Sequence, residues 1–232
     1  MIVKRHTKGN MENIKLKLNG KNIERCSSYK YLGVYVDEKL DWKTHVKYIC
    51  EKVGRVSGML ARLRHCVDIH LLKEVYFALV SSHLSYCNIA WGDANKTTLK
   101  PLVKLQNKII KIISFSPFGT NDTDYLFTNL KLLNLDQIHT LEKAKFIYKH
   151  QNKKLPSNFD NYFKNIADTH THNLRSVTNG NIAHTYGSTC FGQKLIQNEG
   201  AKIWNNIPVQ IRSSESLNTF ASKYKEYLLN SV

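Results

Sequence analysis

Acidic residues and pairable cysteines are scarce in this chain, and each shortage excludes something. Among 232 residues, 18 Asp and Glu stand against 34 Lys and Arg, a formal net charge of +16. Such a surplus says little about fold but favours a polyanionic partner, nucleic acid first; the alternative is a solvated basic surface with no specific partner. Cys26, Cys50, Cys66, Cys87 and Cys190 form an odd, widely spaced set with no Cys-x-x-Cys pair. That speaks against a disulfide framework or a zinc finger and fits a reducing, intracellular compartment, nucleus or cytoplasm. No apolar run is long enough for a membrane-spanning helix, and Met1 to Asn10 lacks the apolar stretch of a secretory signal. There is no glycine-rich phosphate loop and no Ser/His/Asp or Cys/His arrangement with supporting spacing, so no cofactor is expected.

What is present has clear periodicity. Ile14 to Leu18 alternates apolar and basic residues, and Asn19-Gly20 is a strong hairpin signal before Lys21 to Glu24. Tyr31 to Val36 reads as a third strand, with Gly33 at a bulge or close approach, so the first forty residues are expected to form a small antiparallel sheet. Asp37-Glu38-Lys39 turns the chain, and Asp41 is placed to cap a helix beginning at Trp42. From there Val46, Ile49, Val53, Val56, Leu60 and Leu63 recur at helical spacing. A second helix is expected over Ile69 to Tyr86, with Leu72, Val75, Tyr76, Leu79 and Val80 inward, and Ala90-Trp91-Gly92 ends it. A third follows Thr97-Thr98, with Pro101 in its first turn and Leu102, Leu105, Ile109 and Ile112 buried. A fourth helical region spans roughly Tyr125 to His150. Residues 153–189 lack periodicity, and helical character returns over Phe191 to Asn205 and Ser216 to Leu229. The fold expected is α+β, mainly α: a β-hairpin element over 1–41, a helical bundle over 42–152, and a C-terminal loop and helical module over 153–232.

Tyr31-Leu32-Gly33-Val34 followed by Leu40-Asp41-Trp42-Lys43-Thr44-His45 resembles the end of the palm in reverse transcriptases of non-LTR retrotransposons, the jockey-like elements. His172-Asn173-Leu174-Arg175 is similar to the short His-x-Leu-Arg element of that family. Gly200-Ala201-Lys202-Ile203-Trp204-Asn205-Asn206-Ile207-Pro208, then Ile211-Arg212-Ser213-Ser214 and Phe220, resemble its closing Gly-x-x-x-Trp-Asn-x-Leu-Pro pattern, with Ile207 in place of Leu. The resemblance implies RNA-directed DNA polymerisation as the family activity and a helical thumb that grips a primer–template duplex. That activity needs paired carboxylates holding two divalent metals, and the chain has no Asp-Asp dipeptide. The sequence therefore reads as the back end of such a polymerase, a fragment of a mobile element. By itself it is expected to bind nucleic acid and not to catalyse, with a palm and fingers portion as a candidate partner.

The basic residues expected at a nucleic-acid interface are Lys100, Lys104, Lys108 and Lys111, spaced 4, 4 and 3 on the third helix, and Lys47, Arg55 and Arg62 on the first. Lysines in a ladder without acidic residues at i+4 repel one another, so a phosphate backbone is the natural counter-charge. Competing readings are weaker. His170, His172, His184 and Cys190 suggest zinc only loosely, because two His at i and i+2 in a loop are ordinarily surface residues. Asp122 and Asp124 read as helix caps, and Trp204 to Pro208 as a helix stop. A protein–protein interaction module without a nucleic-acid role is the alternative function, supported if the hairpin element exposes an apolar face.

Overall fold

The computed structural model describes residues 16–117, 123–166, 180–184, 187 and 189–231, apart from the side chains of Cys190 and Phe191. The chain is mainly helical, with antiparallel hairpins preceding the helices. It forms two compact units, 1–83 with 94–109, and 84–93 with 110–232. Each unit thus draws on more than one of the three sequence segments.

The first unit opens with two hairpins rather than one three-stranded sheet. Strands β1 (Lys17–Leu18) and β2 (Lys21–Asn22) pair through Asn19-Gly20. Both turn residues have positive φ, 47° and 78°, as this tight reversal requires. The stretch expected as one strand is instead β3 (Ser28–Tyr31) and β4 (Val34–Asp37), folded on themselves at Leu32-Gly33. Leu32 takes φ 45° and Gly33 φ 84°. Leucine is an unusual turn residue, which is why the reversal does not read from sequence.

Beyond β4 the chain switches to helix α1 (Lys43–Leu63), against which β4 packs. Asp37 organises the switch. Its carboxylate accepts from the backbone N–H of Lys39, Asp41 and Trp42, at 3.2, 2.9 and 2.9 Å. Asp41 accepts from the Lys43 N–H at 3.1 Å, while Trp42, expected as the first helical residue, sits just outside at φ 62°. Val46, Ile49, Val53 and Leu60 are buried as the spacing requires.

His45 is buried and its Nδ1 accepts from the Tyr35 N–H at 3.3 Å, tying hairpin to helix. Burial lowers its pKa from 6.5 to about 4. Because the folded state resists protonation, this contribution to stability is complete above the unfolded pKa of 6.5. It is lost as pH falls toward 4, on the order of 3 kcal/mol at most. Urea denaturation across that window should show the loss, and a His45→Gln variant, having no titrating ring, should not.

Helix α2 (Ile69–Tyr76) runs into a π-helical turn, Phe77–Ser81, and on into α3 (Ser82–Ser85). The wider turn keeps Leu72, Tyr76, Val80 and Leu84 buried at successive steps of four and rotates Leu79, expected inward, to 41% exposure. The break expected at Ala90-Trp91-Gly92 falls earlier, at Cys87, whose φ is 49°. Asn88–Trp91 forms the short helix α4, and α5 follows over Lys96–Ile113. Pro101 therefore lies in the second turn of α5 rather than the first.

In the second unit the expected fourth helix is two, α6 (Thr123–Leu130) and α7 (Leu135–Gln151). Asn134 divides them, accepting from the Gln137 N–H while the Gln137 side chain accepts from the Asn134 N–H. Later come α8 (Cys190–Lys194), α9 (Ile196–Asn206), α10 (Val209–Arg212) and α11 (Leu217–Asn230). Ala144, Ile147 and Tyr148 of α7, Ala201 and Trp204 of α9, and Phe220 and Tyr224 of α11 share one core. The Gly-x-x-x-Trp-Asn pattern is explained by packing. A Cβ on Gly200 would stand 3.0 Å from Ile147 Cδ1 and 3.1 Å from Phe163 Cε1. Trp204 Nε1 donates to the Gly180 carbonyl, and Asn205 both donates to and accepts from the Ile182 backbone.

Candidate nucleic-acid interface

On α5 the apolar and basic faces separate cleanly. Leu99, Leu102, Ile109, Ile110, Ile112 and Ile113 are buried, and Lys100, Lys104 and Lys108 are exposed on the other side. Gln106 fixes the roll of the helix within the first unit, donating from Nε2 to the buried Tyr76 hydroxyl at 2.9 Å. Burial pushes that phenol up to about 12, the Gln106 hydrogen bond offsetting part of the rise. Lys111, the fourth member of the ladder, is half-buried and engaged elsewhere. Lys47, Arg55 and Arg62 are exposed along one face of α1. Glu51 lies on that face too, at i+4 from Lys47 and i−4 from Arg55, so this stripe is less purely basic than the α5 ladder.

A second set of charges escaped sequence reasoning. Lys143 of α7 is fully buried, its Nζ 2.8 Å from Asp93 Oδ1 and 2.5 Å from Glu199 Oε2. His139, one turn earlier, places Nε2 2.9 Å from the same Asp93 oxygen and Nδ1 2.5 Å from Asn88 Oδ1. Asn88 in turn donates from Nδ2 to the Leu84 carbonyl. Burial alone would raise the Asp93 carboxyl, but hydrogen bonds and charge from His139 and Lys143 outweigh it and hold the carboxyl below its ordinary value. Gly92 is required beside this network, since any Cβ there would collide with the His139 ring and Asn88 Oδ1. The network is an internal clasp joining 88–93 to α7 and α9. Its only sequence signal is Lys143 standing directly before the buried Ala144.

Among the described residues no three His, Cys, Asp or Glu side chains converge as metal ligands, and no helix is long and apolar enough to cross a membrane. His170, His172, Asp122 and the His172-to-Arg175 element lie outside the described residues. His184 is exposed beside Asn205, and Asp124 is exposed in the first turn of α6.

An α+β, mainly helical chain with segregated basic helix faces is the class this geometry defines. Known proteins narrow it. The chain is 31% identical over 111 residues to the RNA-directed DNA polymerase from mobile element jockey of Drosophila melanogaster, covering 46% of this chain and 12% of that protein. It is 29% identical over 110 residues to the Retrovirus-related Pol polyprotein from type-1 retrotransposable element R1 4 of Nasonia vitripennis, 46% and 28% of the two chains. To the Probable RNA-directed DNA polymerase from transposon BS of Drosophila melanogaster it is 25% identical over 139 residues, 55% and 14%. The chain is thus similar to RNA-directed DNA polymerases of non-LTR retrotransposons, and the match spans about an eighth to just over a quarter of the length of these relatives. No protein-family model matches it, and no solved structure does.

Proposed function

We propose that this reverse-transcriptase-derived chain is a thumb-like module that grips the backbone of a nucleic-acid duplex. It corresponds to the region following the catalytic strands in its longer relatives, and it does not polymerise alone. The observation that carries this reading is the α5 ladder. Lys100, Lys104 and Lys108 line the face opposite the buried stripe, and no described carboxylate pairs with them. Repelling cations kept on a rigid helix gain most from an external polyanion. Phosphate contacts of this kind supply affinity without sequence information.

Salt titration of duplex binding tests the reading. With roughly five phosphate contacts the logarithm of affinity should fall against log salt with a slope of about −4 to −5, alike for RNA–DNA hybrids of unrelated sequence. A flat dependence, or no binding in dilute salt, would overturn it.

The second reading, a protein-interaction module, draws on the hairpins. Leu16, Leu18, Ile23, Tyr29, Tyr31 and Leu32 are each more than half exposed. The palm and fingers portion of a longer polymerase is the partner proposed for this surface. Concentration-dependent association with that portion, abolished by Leu18→Glu with Leu32→Glu, would support it, and retained association would exclude it.

A further inference from the structure

We propose that Lys30 and Lys52, seated on the rings of Tyr35 and Tyr48, form a phosphate-contact site at the junction of the second hairpin with α1. The inference rests on the nucleic-acid reading above and adds residues that neither basic ladder contains. Lys30 and Tyr35 are directly opposed across β3 and β4, so their side chains share one face of the hairpin. That face meets Tyr48, whose ring centroid is 5.1 Å from that of Tyr35 at an interplanar angle of 60°. The Lys30 ammonium lies 4.9 Å from the Tyr48 centroid and 5.5 Å from that of Tyr35. The Lys52 ammonium, one turn along α1, lies 5.5 Å from the Tyr48 centroid.

How these lysines are held indicates what they bind. A carboxylate partner would consume ammonium N–H groups, but a ring face attracts the cation and leaves its donors open. Among the described residues no carboxylate bonds either ammonium. Glu38 is taken by Arg25 at 3.1 Å, and Asp37 by backbone amides. The lysine stems are therefore ordered while their donors remain available to an oxyanion. The site borders the basic stripe on α1, where Arg55 stands at i+3 from Lys52. That continuity, in a chain of net charge +16, favours the repeating phosphates of a nucleic-acid strand over an isolated anion. The ring faces are already covered by ammonium groups, so bases do not stack there and contact is with the backbone alone.

Fluorescence anisotropy with a labelled single strand, and with a strand of equal length containing an abasic run, tests this on the whole chain. The double variant Lys30→Gln, Lys52→Gln, at an exposed and a half-buried position, should flatten the salt slope by about 1.4 units, about 0.7 per phosphate, and weaken binding about 25-fold at 0.1 M salt. Tyr48→Leu, which keeps both lysines but removes the ring they share, should weaken binding with the slope retained. The abasic strand should bind like the intact one. If the parent shows its steep salt dependence and the double lysine variant matches it, this site is wrong and the broader reading stands. Failure of the parent to bind the single strand overturns this site, and failure to bind a duplex as well overturns both. Weaker binding of the abasic strand, or tighter binding of poly-glutamate than of the oligonucleotide, overturns the assignment to strand phosphates.

Discussion

Replacing Lys143 by methionine is expected to destabilise the second unit by about 1–3 kcal/mol, below the usual cost of breaking a buried ion pair, because the lysine is buried while its carboxylate partners Asp93 and Glu199 are 29% and 40% exposed. Methionine fills a similar volume, so little of the loss is cavity. The loss comes from Asp93 and Glu199, left without the ammonium that lies within hydrogen-bond distance of both. Two consequences separate this from ordinary core damage. Protonating the orphaned carboxyls removes their mutual repulsion, so the variant should recover relative to the parent as pH falls toward the carboxylate range. Neutralising the whole set, Asp93→Asn with Lys143→Met and Glu199→Gln, should cost less than the single change, because no carboxylate is left without the ammonium it faced. Urea denaturation followed through Trp91 and Trp204, in a Trp42→Phe background, reports on this unit. A single-variant loss below about 1 kcal/mol, or a triple variant as unstable as the single, would show that the cluster is not what holds 88–93 in place.

That cluster also marks where reading the sequence stops. Spacing alone identifies α1, because Val46, Ile49, Val53 and Leu60 are all buried, and Asn19-Gly20 identifies the first hairpin because both residues tolerate positive φ. Both signals are local, generated within a few residues. Lys143 reads as a solvated helical lysine, and the residues that make its burial possible lie 50 and 56 positions away. Asp37 reads as an ordinary turn residue, although it gathers three loop amides, because its acceptor role depends on a backbone path that Leu32 and Trp42 take only in the folded chain. The interface residues fall between these cases. Helical period alone puts Lys100, Lys104 and Lys108 opposite the buried stripe. The seating of Lys30 and Lys52 needs the hairpin to meet α1, which no local pattern announces.

Changing Lys104 and Lys108 to glutamate is expected to have the largest effect on nucleic-acid binding. Both are exposed, and neither touches the face where Leu102, Gln106 and Ile109 are buried. The fold should therefore survive, shown by an unchanged circular-dichroism spectrum and melting temperature. Loss of two phosphate contacts removes about 0.9 unit of salt slope each on duplex, a flattening of about 1.8 units, which at 0.1 M salt corresponds to about 60-fold weaker binding. Introduced negative charge adds repulsion to that loss and makes it a lower bound. The weakening should be uniform across unrelated sequences, since phosphate contacts carry no base information. A matched Lys104→Gln, Lys108→Gln variant should show the same change in slope with a smaller drop in affinity, which separates lost contacts from added repulsion. A folded glutamate variant with parental affinity and parental slope would make this face of α5 a solvated one and move the proposed contact to α1 and the hairpin junction.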